Sequence, residues 1–157
     1  MKKKSFIHYF QKNKNNITII NKNERVSYLD LIEFKDKHFK CKKKLFLLFS
    51  SDYFETIFLY SALLISDNII ILVDFIKDKK YIDILIKKYK PNYVLLPKIN
   101  IGKLNFKGNR IFSLKKTNIF KLNANNEISY NSKNKLLLST SGTTGSPKMV
   151  RLSEQNL

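Results

Sequence analysis

Between Lys44 and Pro97 short apolar runs alternate with longer helical patterns, and no other feature of the chain restricts its fold as much. "KLFLLFSS" is short and continuously apolar, as expected of a strand covered on both faces. "SDYFETIFLYSALLI" follows with helical length, and Ser51 or Asp52 is placed to cap it. "NIIILVD" is a second buried strand. "DKKYIDILIKKY" sets Tyr81, Ile84, Leu85 and Tyr89 on one face with lysines opposite, the pattern of a surface helix, and Pro91 ends it. "NYVLLP" supplies a third strand. This succession predicts an α/β fold, a partial doubly wound parallel sheet with flanking helices and right-handed crossovers.

The flanking regions extend that plan. "SFIHYFQKN" reads as a short amphipathic helix. "NITII" and "ERVSY" flank Asn21-Lys22-Asn23, which predicts an N-terminal β-hairpin. "SYLDLIEFKDKHF" places Leu29, Ile32 and Phe39 at helical intervals. From Gly102 to Tyr130 the signal weakens into short candidate strands, "RIFSL", "NIFKL" and "EISY", between Asn- and Lys-rich turns. "NKLLLSTS" is a last apolar strand. The length, 157 residues, is that of one domain.

A formal charge of +18 raises the question of nucleic acid first. All but three of the thirty basic residues are lysines, the exceptions being Arg25, Arg110 and Arg151. Base readout leans on the arginine fork, which is scarce here. Lys, Asn and Ile share A/T-only codons, so an AT-rich genome produces the same bias without selection for binding. A solvated lysine surface is the favoured reading, and no specific nucleic-acid partner is expected. The single cysteine, Cys41, excludes an intrachain disulfide and a cysteine-cluster metal site, which suits a reducing compartment. "MKKKSFIHYF" has the basic start of an export signal, but "QKNKNN" interrupts its apolar run too early. The strongest membrane candidate, "TIFLYSALLISDNIIILV", is split by Asp67-Asn68, whereas a spanning helix wants about 20 unbroken apolar residues. A cytoplasmic protein without a membrane span is expected.

The segment Ser141-Gly142-Thr143-Thr144-Gly145-Ser146-Pro147-Lys148 carries the most chemistry. Glycines let the backbone approach closely and turn through conformations closed to other residues. Successive backbone N–H groups in such a turn form an anion-binding concavity. The hydroxyls of Ser141, Thr143, Thr144 and Ser146 can donate to phosphate oxygens, and Lys148 adds a mobile positive charge. The spacing is not that of the Walker loop, which has four residues between its glycines and opens a helix. Here two residues separate the glycines, and "MVRLS" reads as a strand. A plain hairpin loop would use the same residue types.

The full string "LLLSTSGTTGSPKMVRLSEQNL" resembles the signature loop of the adenylate-forming (AMP-binding) superfamily, which includes acyl-CoA synthetases and the adenylation domains of non-ribosomal peptide synthetases. Tyr28-Leu29, "KLFLLFS", "LYSALLIS", "IIILV" and "KPNYVLLP" follow the order of that family more weakly, so the resemblance runs along nearly the whole chain. It implies that Ser141, Gly142, Thr143, Thr144, Gly145 and Lys148 wrap the β- and γ-phosphates of ATP with Mg²⁺. It also implies a reaction in which a small carboxylate becomes an acyl-adenylate and is then passed to coenzyme A or a pantetheine carrier. Two positions depart from the family pattern: Met149, where glycine is usual after the lysine, and Ser66-Asp67, where Ala-Gly is common.

Family members run to several hundred residues. The resemblance therefore makes residues 1–157 the N-terminal portion of the large domain. The adenine-binding, Mg-binding and catalytic-lysine segments and the small domain are not matched, and no catalytic residue is assigned. Three readings follow: a fragment inactive alone, half of a split enzyme with a separately encoded C-terminal partner, or a non-enzymatic basic module for nucleic acid. His8 and His38 are isolated and lack metal-ligand spacing, and no metal ligands are assigned. Cys41 has no paired histidine and reads as a bystander thiol. Asn16-Ile17-Thr18 matches a glycosylation acceptor, which means little without export.

Overall fold

The computed structural model describes residues 15–21, 23–50, 53–75, 78–98, 106–123, 134–139, 149–153 and 155–157. Strands β1 (Ile17–Asn21) and β2 (Glu24–Ser27) form the expected antiparallel hairpin. Helix α1 (Tyr28–His38) follows directly. It starts there because Ser27 caps it: the Ser27 hydroxyl accepts the Asp30 N–H at 3.2 Å, and the Asp30 carboxylate accepts the Ser27 N–H at 2.7 Å.

That start sets the phase of α1, and the inward face differs from the one read from the sequence. Leu31 is wholly buried, whereas Leu29 is exposed. Ile32 and Phe34 pack beside Leu31, and Phe39, just past the helix, is buried as expected.

Next come β3 (Leu45–Ser50), α2 (Tyr53–Ile65), β4 (Ile69–Asp74), α3 (Lys79–Tyr89) and β5 (Tyr93–Pro97). The order is the one that the alternating pattern predicts. On α3 the inward residues are Ile82 and Leu85, while Ile84, assigned to that face, is exposed. Tyr81, Tyr89 and Leu85 do face the core. Helix α3 ends at Lys90, whose φ of 44° is left-handed and turns the chain before Pro91.

Strands β6 (Gly108–Ser113) and β7 (Thr117–Leu122) correspond to "RIFSL" and "NIFKL", and β8 (Asn134–Ser139) and β9 (Met149–Ser153) complete the set. Seven strands form one sheet in the order β6-β7-β5-β3-β4-β8-β9. The inner four, β5-β3-β4-β8, are parallel. β7 and β9 run antiparallel to these four, and β6, antiparallel to β7, runs in their direction, so antiparallel pairs border the parallel sheet on both sides. The expected helix at residues 5–13, the Ser51 or Asp52 cap of α2 and the strand "EISY" fall outside the described residues.

The sheet separates two cores. Phe46, Leu48, Ile70, Leu95 and Leu136 point to one face, against α1, α2, Ile19 and Val26. Leu45, Leu47, Phe49, Ile71, Val94 and Leu137 point to the other, against Ile82 and Leu85 of α3. Alternate residues of one strand serving opposite helical layers is what doubly wound means at side-chain level.

The amino-terminal edge of the parallel strands is closed by side-chain bonds. Asn68, fully buried, accepts the Lys44 N–H at 3.0 Å and donates to the Cys41 carbonyl at 2.9 Å and the Ser66 hydroxyl at 2.7 Å. Asn92 accepts the Leu45 N–H at 2.9 Å, and its own N–H donates to the Leu45 carbonyl at 2.9 Å. Asp67, at φ 58°, occupies a left-handed turn and pairs with the largely buried Lys135. This explains how Ser66-Asp67 replaces a turn where glycine is common: aspartate tolerates that conformation better than most residues.

Candidate functional site

The opposite edge gathers the carboxyl ends of the same strands. Helix α2 follows β3 on one face, and α3 follows β4 on the other. Open α/β sheets bind ligands beyond the carboxyl ends of their strands. At this edge β3, ending at Ser50, and β4, ending at Asp74, are paired in register. The Ser50 hydroxyl donates to Asp74 Oδ1 at 3.5 Å, and the Phe75 N–H donates to the Ser50 carbonyl at 3.0 Å. Asp74 is exposed at the rim. Burial, then Tyr89 and Asp74, hold the Tyr81 hydroxyl above its ordinary pKa.

β8 lies against the other side of β4, with Leu72 paired to Leu138, so its carboxyl end opens on the same edge. Ser139 pairs with Met149 across the β8–β9 hairpin. Residues 140–148 thus connect two strand ends, Ser139 and Met149, that lie at the carboxyl edge. Ser141, Gly142, Thr143, Thr144, Gly145 and Lys148 all fall in that connection, and they lie outside the described residues. One expectation about its surroundings holds: the segment after Lys148 is a strand rather than a helix. At the end of that strand the Ser153 N–H and hydroxyl donate to Asn156 Oδ1 at 3.1 and 2.6 Å. Met149 is not a free exit from the loop, since its side chain packs against the core on the α3 side.

Sequence reasoning passed over Ser50 and Asp74. The signal was present: each is the polar residue that closes a buried apolar strand, where a side chain reaches the rim rather than the core.

The remaining candidates are structural. His38 lies between Phe34 and Phe112, stacked on the latter at 4.3 Å, and burial followed by Lys37 lowers its pKa. Cys41 is half-buried against the core, and burial together with the Cys41 thiol pushes the Tyr93 hydroxyl up to about 12. Asn16 spends its carbonyl on the Tyr28 N–H at 3.2 Å. His8 lies outside the described residues. Among the described residues no cluster of His, Cys, Asp and Glu is arranged to hold a metal, and no helix is long and apolar enough to cross a membrane.

No family model and no curated protein matches the chain by sequence. Solved structures match it by shape. A variant of E. coli MenE with bound OSB-AMS superposes with a TM-score of 0.64 at 16% identity, covering 99% of this chain and 35% of that one. The Klebsiella oxytoca NpsA N-terminal subdomain in complex with 3-hydroxyanthranilyl-AMSN gives 0.60 at 15% identity, covering 97% and 41%. The L. pneumophila fatty acyl-adenylate ligase in complex with acyl adenylate and pyrophosphate gives 0.55 at 18%, covering 97% and 31%. The chain therefore spans between about a third and two-fifths of the length of these structures. At such identities it is the architecture that is shared, and the chain has the fold of the N-terminal subdomain of the adenylate-forming enzymes.

Proposed function

We propose that this chain carries the phosphate-binding part of an ATP-dependent, carboxylate-activating enzyme. The observation that carries the reading is positional: the Ser/Thr/Gly-rich segment joins the ends of β8 and β9 at the carboxyl edge of the parallel sheet, where β8 lies beside β4. Its donor set suits a polyphosphate, with hydroxyls and backbone amides for the oxygens and one lysine for the charge. Ser141, Gly142, Thr143, Thr144 and Gly145 would hold the β- and γ-phosphates, and Lys148 would neutralise them. Asp74 and Ser50 form the neighbouring wall. With Mg²⁺, ATP would supply an activated α-phosphate for joining to a carboxylate, with pyrophosphate as the leaving group.

Recognition of adenine and of the acyl group, and transfer to coenzyme A or a pantetheine carrier, would fall to polypeptide matching the rest of the neighbours' length. In this reading residues 1–157 form the N-terminal portion of a large domain and do not turn over alone. A separately encoded C-terminal half is a second arrangement, favoured by Val150, which is exposed on β9, the outermost strand on its side among the described residues.

The first test needs only the chain itself. ³¹P NMR of ATP and of pyrophosphate, each with Mg²⁺, should show line broadening on adding the protein and much less with Lys148→Ala. Spectra unchanged by the wild-type chain would remove the phosphate reading. Carboxylate-dependent ATP–pyrophosphate exchange on mixing with a C-terminal half then tests the reaction.

A further inference from the structure

The edge opposite the candidate site bears a charge pattern that the ATP reading does not use. Lys42 and Lys44 precede β3, Lys87 and Lys90 close α3, Lys107 precedes β6, and Lys121 pairs with the first residue of β5. All six are exposed and lie at the amino-terminal edge of the parallel strands. From β6 to β3 is three strand spacings, about 14 Å, and α3 adds a second layer on one side.

A basic composition alone does not give this pattern. Of the acidic residues described, Asp67 and, in the last turn of α1, Asp36 lie toward this edge, and Lys135 and Lys35 pair with them. Asp74, Asp78 and Glu55 sit toward the carboxyl edge, where Lys79, Lys80 and Lys98 balance them. The chain thus separates a mixed-charge rim from an almost wholly cationic one.

We infer that the amino-terminal edge is a docking surface for an anionic phospholipid bilayer. The partner's chemistry follows from what accompanies the lysines. Arg25 and Arg151 lie elsewhere, on β2 and β9, and Arg110, the third residue of β6, is a single guanidinium among six lysines, too few for a row of forks that reads base edges. The aromatic residues described at this edge, Tyr89, Tyr93 and Phe106, are half-buried against the core rather than laid open as a platform for stacking single-stranded bases. The edge offers point charges spread over the end of a layered sandwich, and a plane of lipid phosphates can meet all of them at once. Polybasic clusters of this size bind anionic leaflets by electrostatics, with an effect of about fivefold per lysine. Binding is therefore reversible and salt-sensitive, and it leaves the carboxyl edge facing away from the lipid.

The experiment is co-sedimentation of the purified chain with phosphatidylcholine vesicles, with and without phosphatidylserine, across ionic strength. Wild type should bind the phosphatidylserine vesicles alone, and lose them as salt rises. The triple variant Lys42→Gln, Lys44→Gln, Lys121→Gln should bind on the order of a hundredfold more weakly. A control of equal charge, Lys79→Gln, Lys80→Gln, Lys98→Gln, should stay within a few fold of wild type. Thermal melts establish that both variants fold, and the salt dependence of wild type gives a second readout that needs no variant. Equal losses in the two triple variants would make overall charge the cause and overturn the assignment. So would binding to neutral vesicles, absence of binding to either kind, or tighter retention on random-sequence duplex DNA at equal phosphate concentration. None of these outcomes bears on ATP binding, so the two readings fail separately.

Discussion

The two edges of the parallel sheet are built from the same strands and treated in opposite ways. At the amino edge, Asn68 and Asn92 reach across to the backbone at the start of β3, and Asp67 is tied to Lys135. At the carboxyl edge the strands end in Ser50, Asp74 and Ser139, and among the described residues β3 and β4 are joined there by the Ser50 hydroxyl to Asp74 at 3.5 Å and the Phe75 N–H to the Ser50 carbonyl at 3.0 Å. A buried amide with its partners satisfied fixes strand ends in one arrangement. A rim with unspent donors and acceptors is where a ligand can be accommodated. The contrast teaches that this fold stores its rigidity at one end of the sheet so that the other can be chemically available.

Asn68→Leu should break the contrast most severely. It strands the Lys44 N–H and the Cys41 carbonyl without partners, and stability should fall by about 3 kcal/mol, each orphaned group costing roughly 1–3. Chemical denaturation measures this, and a loss well under 1 kcal/mol would mean that the amino edge is not held by Asn68. At the other edge, Lys148→Ala should weaken pyrophosphate or ATP binding by about 2 kcal/mol, roughly thirtyfold, with an unchanged melting midpoint. Loss of stability instead of affinity would turn the loop into a structural corner.

Asp67 allows a finer cut. Asp67→Ala and Asp67→Gly both release Lys135, but only alanine pays the left-handed backbone cost, so it should be less stable than the glycine variant by about 1 kcal/mol. Equal midpoints would show that the turn can relax.

The smallest effect belongs to the cap of α1. The Ser27 N–H, then its hydroxyl, hold the Asp30 carboxyl below its ordinary value of 3.8. A depressed carboxylate stabilises the fold fully above that value and loses its contribution as pH falls through the lower folded one. Asp30→Ala should therefore cost about 1 kcal/mol at pH 7, and the gap to wild type should close below about pH 4. A gap that stays constant would assign the loss to packing.

The layered fold was legible because strands buried on both faces leave continuous apolar runs, as in "LFLLF" and "IIILV", which no surface element imitates. Helix faces were less so. Leu29 and Ile84 have the right chemistry for the core, yet the phase of each helix is fixed by its cap and its tertiary contacts, and Leu31 and Ile82 took their places. The antiparallel partners of β5 and β8 were read as strands, but pairing direction leaves no mark in so short a stretch. In the candidate site, the Ser/Thr/Gly-rich segment stands out by residue type alone, and its residues lie outside those described, so its role rests on the proposed reading. Ser50 and Asp74 are ordinary polar residues until the sheet brings their strand ends together, and the lysine edge is invisible in a chain that carries lysine everywhere.

Met149 adds a consequence for the segment between β8 and β9. Where a glycine would leave the far end free to swing, a thioether is lodged among core side chains, and Ser139 holds the near end through the ladder. A tether fixed at both ends has surrendered part of its conformational entropy before any ligand arrives. In the proposed reading less would then remain to be lost on binding a phosphate, and affinity would rise without a single added contact.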